Sequence, residues 1–182
     1  MKIYFVRHGR TESNNLKRLA GQRVDDELIP EGINQANELA QAIDSDFDVI
    51  FSSSMKRALQ TAKIISEKIN VPIIERKEIM ERDYGKLSDK SWEEVGKETG
   101  LDHFDLKKQE FELTYDYRPY GGESAEDVKK RVLTFIAEVK KNYADKKVLV
   151  VAHGGIIRMA HFLFLEEKAE HIKNATIYEF DI

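Results

Sequence analysis

The chain has 182 residues, 29 Lys and Arg against 33 Asp and Glu, a net charge of −4, and no cysteine. That length suits one domain of about 100–200 residues, large enough to bury roughly 70% of its unfolded surface without staples. The absent cysteines exclude disulfides and thiolate metal sites, no apolar run approaches the ~20 residues of a membrane span, and the acidic balance argues against nucleic acid, so a cytoplasmic enzyme-sized domain is expected.

Ile3 to Val6 is a short apolar run of β-branched and aromatic residues, too brief for a helix. Such a run reads as a strand buried on both faces inside a parallel sheet. It stops at Arg7-His8-Gly9. Arg10 to Ile29 follows as a polar loop with Gly21 and Asp25-Asp26 as turn formers, and long loops in compact domains are often functional. Pro30 suits a first helical position, and Ile33, Ala36, Leu39, Ala40 and Ile43 continue at helical spacing. Val49 to Phe51 forms the next strand and runs into Ser52-Ser53-Ser54. Ser53 or Ser54 is expected to cap a helix that carries Arg57 in its first turn and ends at Asn70. Val71 to Ile74 reads as a third strand.

Glu75 to Gly122 is less regular. A short helix is expected from Ser91 to near Gly100, another over Phe104 to Leu113, then an aromatic loop from Tyr115 to Gly122. With no linker composition and no repeat, the chain 1–182 reads as a single domain with a small insertion, about 76–122, over the site. Ser124 opens a long helix with Asp127 in capping-box position. Val148 to Ala152 is a strand that reaches His153 and a tight Gly154-Gly155 turn, and a helix follows over Ile156 to Phe164. Thr176 to Phe180 alternates as an edge strand would. This order predicts an α/β three-layer sandwich: a mostly parallel sheet with one antiparallel edge strand and helices on both faces.

Three apolar strands therefore hand Arg7 and His8, Arg57, and His153 to their carboxyl ends, the edge where open α/β sheets bind ligands. Cations gathered there in an acidic chain point to an anion. Two planar guanidinium forks match phosphoryl oxygens, each charge-assisted bond contributing about 1.5–3 kcal/mol. His153 can donate a further bond, and the glycines beside it admit close approach. A neutral imidazole at His8, its pKa lowered by the arginines, could attack phosphorus in line. The leaving alkoxide then needs a proton, for which Glu75, Glu78, Glu81 and Asp83 all stand near the third strand.

At this point the chain resembles a known family. Arg7-His8-Gly9-Arg10-Thr11-Glu12-Ser13-Asn14 is similar to the signature of the histidine phosphatase superfamily, which includes phosphoglycerate mutases. Ser52 to Ala62, Glu81-Arg82-Asp83-Tyr84-Gly85, Gly121-Gly122-Glu123-Ser124 and His153-Gly154-Gly155 resemble its later blocks, in family order. The resemblance implies His8 as phosphorylated nucleophile, Glu81 as proton donor, and Arg7, Arg57 and His153 as the phosphate pocket. It also implies phosphate or substrate contacts from Asn14, Thr11, Gln22 and Gly154. A family Glu-Gly pair after Gly85 is replaced here by Leu87-Ser88-Asp89-Lys90.

The expected activity is a metal-independent phosphatase on small phosphate monoesters, without a cofactor, a membrane or nucleic acid. Phosphoglycerate mutase-type transfer is the alternative. The family's mutases carry paired arginines in a longer stretch after the acid, where this chain has only Arg118 and lysines. A non-catalytic phosphate- or phosphoprotein-binding module would need neither His8 nor Glu81. A metallohydrolase is disfavoured by the lack of close histidine pairs or clustered aspartates.

Overall fold

The computed structural model describes residues 1–43, 46–169 and 171–182. Among them are five strands, β1 (Lys2–Arg7), β2 (Val49–Ser53), β3 (Ile73–Arg76), β4 (Val148–Ala152) and β5 (Ile177–Asp181). The α-helices are α1 (Glu12–Asn15), α2 (Pro30–Ala42), α3 (Lys56–Ile69), α4 (Trp92–Thr99), α5 (His103–Glu112), α6 (Ala125–Asn142) and α7 (Gly154–Leu165). One sheet forms, in the order β3-β2-β4-β1-β5. β1 and β2 flank β4 in parallel, β3 extends the parallel set, and β5 closes the other edge antiparallel to β1.

Side chains alternate across each strand, and both faces of the central strands are apolar, so both faces must be covered. Ile3, Phe5, Val148 and Val150 pack on one side against Val132, Phe135 and Ile136 of α6 and Ile156 and Ala160 of α7. Val6, Ile50, Leu149 and Val151 pack on the other against Ala40 of α2 and Ala58, Ala62 and Ile65 of α3. Full burial of each such Val, Ile or Phe contributes roughly 1.5–3 kcal/mol. A third, smaller cluster joins Leu19, Tyr84, Leu87, Val95, Leu106, Tyr115 and Tyr117 away from the sheet.

Four local details differ from the sequence-based expectation. The serines after β2 do not cap α3: Met55 is its N-cap, and Lys56 N–H donates instead to Asp25 Oδ1 at 2.8 Å, a cap supplied by the distant loop. Gly154 and Gly155 are the first residues of α7, with His153 as N-cap, rather than a turn before it. The polar loop after β1 contains the four-residue α1, too short to show a period, with Thr11 N–H at its start donating to Asn14 Oδ1. β3 also begins two residues later than expected, because Ile73 is the partner of Ile50.

Candidate active site

The strand order explains the site. β2, β4 and β1 are adjacent and parallel, so their carboxyl ends deliver Ser53, His153 and His8 to one edge. The His8 and His153 rings lie 5.1 Å apart, and both are buried. His8 Nδ1 is 2.7 Å from the Gly9 carbonyl. A carbonyl only accepts, so Nδ1 carries the hydrogen and Nε2 is left with its lone pair. His153 Nε2 is 2.8 Å from Ser53 Oγ, while its Nδ1 is buried with no hydrogen-bond partner among the described residues. Burial first, then the charge of Arg57, holds both imidazoles well below their ordinary proton affinity; His153 and Arg7 act the same way at His8, against the smaller opposing pull of the Gly9 carbonyl, and Arg131 and Arg7 do so at His153. Both rings are neutral at pH 7.

Arg57 is 2% exposed, the largest fully buried side chain among the described residues. It donates to the carbonyls of Val24 at 2.9 Å and Gly21 at 2.8 Å, with Asp26 at 3.5 Å. Arg7 donates to the Ile172 carbonyl at 2.6 Å, and its Nε is buried without a partner among the described residues. Burial lowers the proton affinity of both arginines, yet from so high a starting value they stay cationic. Gly154 packs on Arg7: a Cβ there would lie 3.5 Å from Arg7 Nε.

Arg7, His8 and Arg57 open into a cavity of about 720 Å³, with His153 beside the His8 ring but, like Gly154, outside the lining. Arg7, Arg10, Lys17, Arg18, Arg57 and Lys173 line it, and among the described residues Glu81 is the one carboxylate doing so. A chain acidic as a whole thus presents an electropositive concavity. Of the four acids considered as proton donors, Glu81 alone reaches it. Asp83 is taken by Arg23 at 2.8 Å, Glu75 is exposed, and Glu78 lies outside the lining.

Glu81 is held closely. Oε2 accepts from Gly155 N–H at 3.0 Å and Oε1 from Arg82 N–H at 2.9 Å. A Cβ on Gly155 would stand 2.3 Å from Glu81 Oε1, so any other residue there would push the carboxylate out of this position. Burial pushes this carboxyl up, but Arg82, the two peptide N–H groups and Arg57 together outweigh it and hold it below the usual range.

Of the other residues singled out in the sequence, Asn14 lines the cavity, its Oδ1 accepting from Thr11 N–H and Asn174 Nδ2, both at 3.3 Å. Thr11 is buried beside it but outside the lining. Gln22 donates to Glu123 at 3.1 Å and does not line the cavity either. Several supporting residues carried no usable sequence signal. Asn174 donates to the His8 carbonyl at 2.8 Å from the segment before β5. Arg131 of α6 holds the carbonyls of Glu78 and Met80, each at 2.7 Å, and of Glu81 at 3.2 Å. Glu123 bridges Arg131 at 2.9 Å and Asp83 N–H at 2.9 Å; it stood in a recognisable block, Gly121 to Ser124, but nothing local told its partners. Among the described residues no three His, Asp or Glu side chains cluster as a metal set, and no helix is long and apolar enough to cross a membrane.

The chain is 35% identical over 191 aligned positions, 98% of its own length and 87% of the relative's, to a 2,3-bisphosphoglycerate-dependent phosphoglycerate mutase of Cytophaga hutchinsonii. It is 34% identical over 157 positions, 85% of its length and 72% of the relative's, to the uncharacterized phosphatase PhoE of Bacillus subtilis. Among solved structures, a phosphoserine phosphatase from Entamoeba histolytica in complex with 3-phosphoglyceric acid superposes with a TM-score of 0.80. That match is 29% identical and covers 99% of this chain and 90% of the other. The family model for the histidine phosphatase superfamily (branch 1) matches residues 3–182, and with these relatives it establishes that the chain belongs to that superfamily.

Proposed function

We propose that this protein is a phosphatase that hydrolyses small phosphate monoesters through a phosphohistidine on His8, without a metal. The observation that carries the reading is the state of His8. Its Nδ1 is committed to the Gly9 carbonyl, so a neutral Nε2 is free among Arg7, Arg57 and His153.

A phosphate dianion entering the cavity meets the Arg7 and Arg57 forks and the buried Nδ1 of His153, a donor once Ser53 O–H supplies Nε2. Asn14 adds a polar contact at the wall. His8 Nε2 attacks phosphorus in line; the ester P–O bond breaks, and the leaving oxygen takes the proton of the Glu81 carboxyl. The incoming dianion offsets the positive field of Arg57, which raises the proton affinity of Glu81 and readies it for that role. In the second half, water attacks phosphorus and Glu81 removes its proton. The N–P bond then breaks, which restores His8 and releases inorganic phosphate. The insertion at about 76–122, within one domain, supplies Glu81, Tyr84 and Trp92 to the cavity and covers the site.

Phosphatase is favoured over mutase by the chain between Gly85 and Gly121. Its one arginine, Arg118, is exposed and engages Asp116 through two bonds of 2.8 and 2.7 Å, away from the cavity lining. Nothing there retains a second phosphate or carboxylate against the phosphohistidine, so water intercepts it. The test is incubation with 3-phosphoglycerate and a bisphosphate primer, with acid-labile phosphoryl-enzyme trapped in parallel. Phosphate release outpacing isomer interconversion, with the adduct lost in His8→Ala, is expected. Faster isomer interconversion would overturn the phosphatase assignment, and an adduct on another residue would overturn the mechanism.

A further inference from the structure

Glu81 stands beside a cation that works against the role assigned to it. Arg82 is 3% exposed, and its Nε lies 3.7 Å from Glu81 Oε1. A guanidinium so placed in a dry site favours the carboxylate over the acid. The same guanidinium, however, is ion-paired through Nη1 with Glu110 of α5. It also lies over the Tyr115 ring, 4.6 Å from the centroid.

Glu110 is an unusual residue for its helix. α5 is polar and largely exposed, burying only Leu106 and Glu110 among its ten residues. Glu110 Oε1 accepts the Tyr117 hydroxyl at 2.7 Å, so both carboxylate oxygens are engaged. Stability does not explain such a pair, because exchanging a buried ion pair for packed apolar residues is often neutral or stabilising. Nor does Glu110 line the cavity.

We propose that Glu110 is a positioning residue that acts through Arg82: it holds the guanidinium on Tyr115 and cancels part of its field at Glu81, so that Glu81 can carry a proton at working pH. The inference rests on Glu81 being the proton donor. The groups facing Glu81 are Arg82, Arg57 and Arg7, the N–H groups of Gly155 and Arg82, Arg131 on its backbone carbonyl, and the phenols of Tyr84 and Tyr115. Those facing Glu110 are Arg82, Tyr117, Tyr84 and Tyr115. Burial pushes the Tyr115 phenol up to about 12 and those of Tyr84 and Tyr117 up as well, so none of the three ionises in the pH range of the test.

The experiment is the pH profile of kcat, which reports the substrate-bound enzyme in which the phosphate dianion has raised Glu81, from pH 5 to 10, on an alkyl phosphate and on an aryl phosphate with a good leaving group. The parent should lose alkyl phosphatase activity on the basic side as Glu81 deprotonates, and Glu81→Gln should abolish that limb. Glu110→Gln exposes Glu81 to the full charge of Arg82, so its limb should move down by about one pH unit. It should therefore lose about tenfold above the parental limb while staying near the parent below it, and lose little on the aryl ester. Glu110→Asp keeps the charge and should restore the limb. The double variant Arg82→Met/Glu110→Met removes both charges and should move the limb above the parental position; it keeps the question answerable if Glu110→Gln does not fold. An equal loss at every pH and on both esters, or a double variant at the parental position, would overturn the inference while leaving Glu81 as the acid. A limb that survives Glu81→Gln would overturn both assignments.

Discussion

Arg57 shows what the site demands of a single side chain. Its guanidinium is buried, and two of its nitrogens are fixed by the carbonyls of Gly21 and Val24. Those bonds hold the plane of the fork still, and the same geometry admits no point charge. A lysine at this position would satisfy at most part of the carbonyl set and could not present parallel donors to phosphate. Arg57→Lys should therefore lower kcat/KM by about 10²-fold or more, two lost charge-assisted bonds at 1.5–3 kcal/mol each being ample. Steady-state assay on an aryl phosphate checks this, with near-parental rates showing the arginine to be peripheral. The loss should appear on good and poor leaving groups alike, unlike that at Glu81, because Arg57 serves the phosphoryl group rather than the departing oxygen.

Between elements, the site depends on how closely α2 approaches the loop after β1. Gly32, in the first turn of α2, packs on Arg10 so tightly that a Cβ would lie 2.1 Å from the Arg10 carbonyl oxygen. A Cβ on Gly9 would in turn meet the Gly32 carbonyl oxygen at 2.3 Å. Backbone faces backbone at both places, so no side chain can swing aside. Gly32→Ala should force the two elements apart at a cost of about 1–3 kcal/mol, and it should carry the loop holding His8 with it. Urea unfolding and aryl phosphate turnover, measured on the same variant, should both fall; an unchanged pair would show that the contact yields freely. α6 plays a complementary part, since Arg131 gathers the carbonyls of Glu78, Met80 and Glu81 in the segment after β3 and so ties the acid to the sandwich.

For the molecule as a whole, the buried histidines set a pH dependence of stability. His8 and His153 are held neutral in the folded protein by burial and then by Arg57. His161 is lowered too, chiefly by burial. In the unfolded chain each returns to about 6.5. The folded values lie lower, so below that pH the unfolded state binds more protons. Stability from these groups is thus fully present above pH 6.5 and is lost as the pH falls toward the folded values. Two histidines titrating together give a slope of about 2.7 kcal/mol per pH unit. The urea midpoint should fall steeply between about pH 6.5 and 5, and less steeply in His8→Gln/His153→Gln. Equal slopes in parent and double variant would mean that the rings already carry protons in the folded state.

What the sequence determined by itself is the sandwich and the inner cup. Apolar runs of three to five residues ending in Arg-His-Gly, Ser-Ser-Ser and His-Gly-Gly state their own period and their own stopping points, and short-range steric rules then dictate strand, helix and the edge where His8, His153 and Arg57 emerge. What only the tertiary structure decided is how those groups are held. Whether Glu81 or one of its neighbours reaches the cavity depends on Gly155, Arg82 and Arg131, which are up to 74 residues away in the chain. The cap of α3 comes from Asp25, the support of His8 from Asn174, and the counter-charge to Arg82 from Glu110. Hydrogen bonds and ion pairs depend on distance in space, not on spacing along the chain, so a polar residue on a helix surface reads the same whether it meets water or a buried cation.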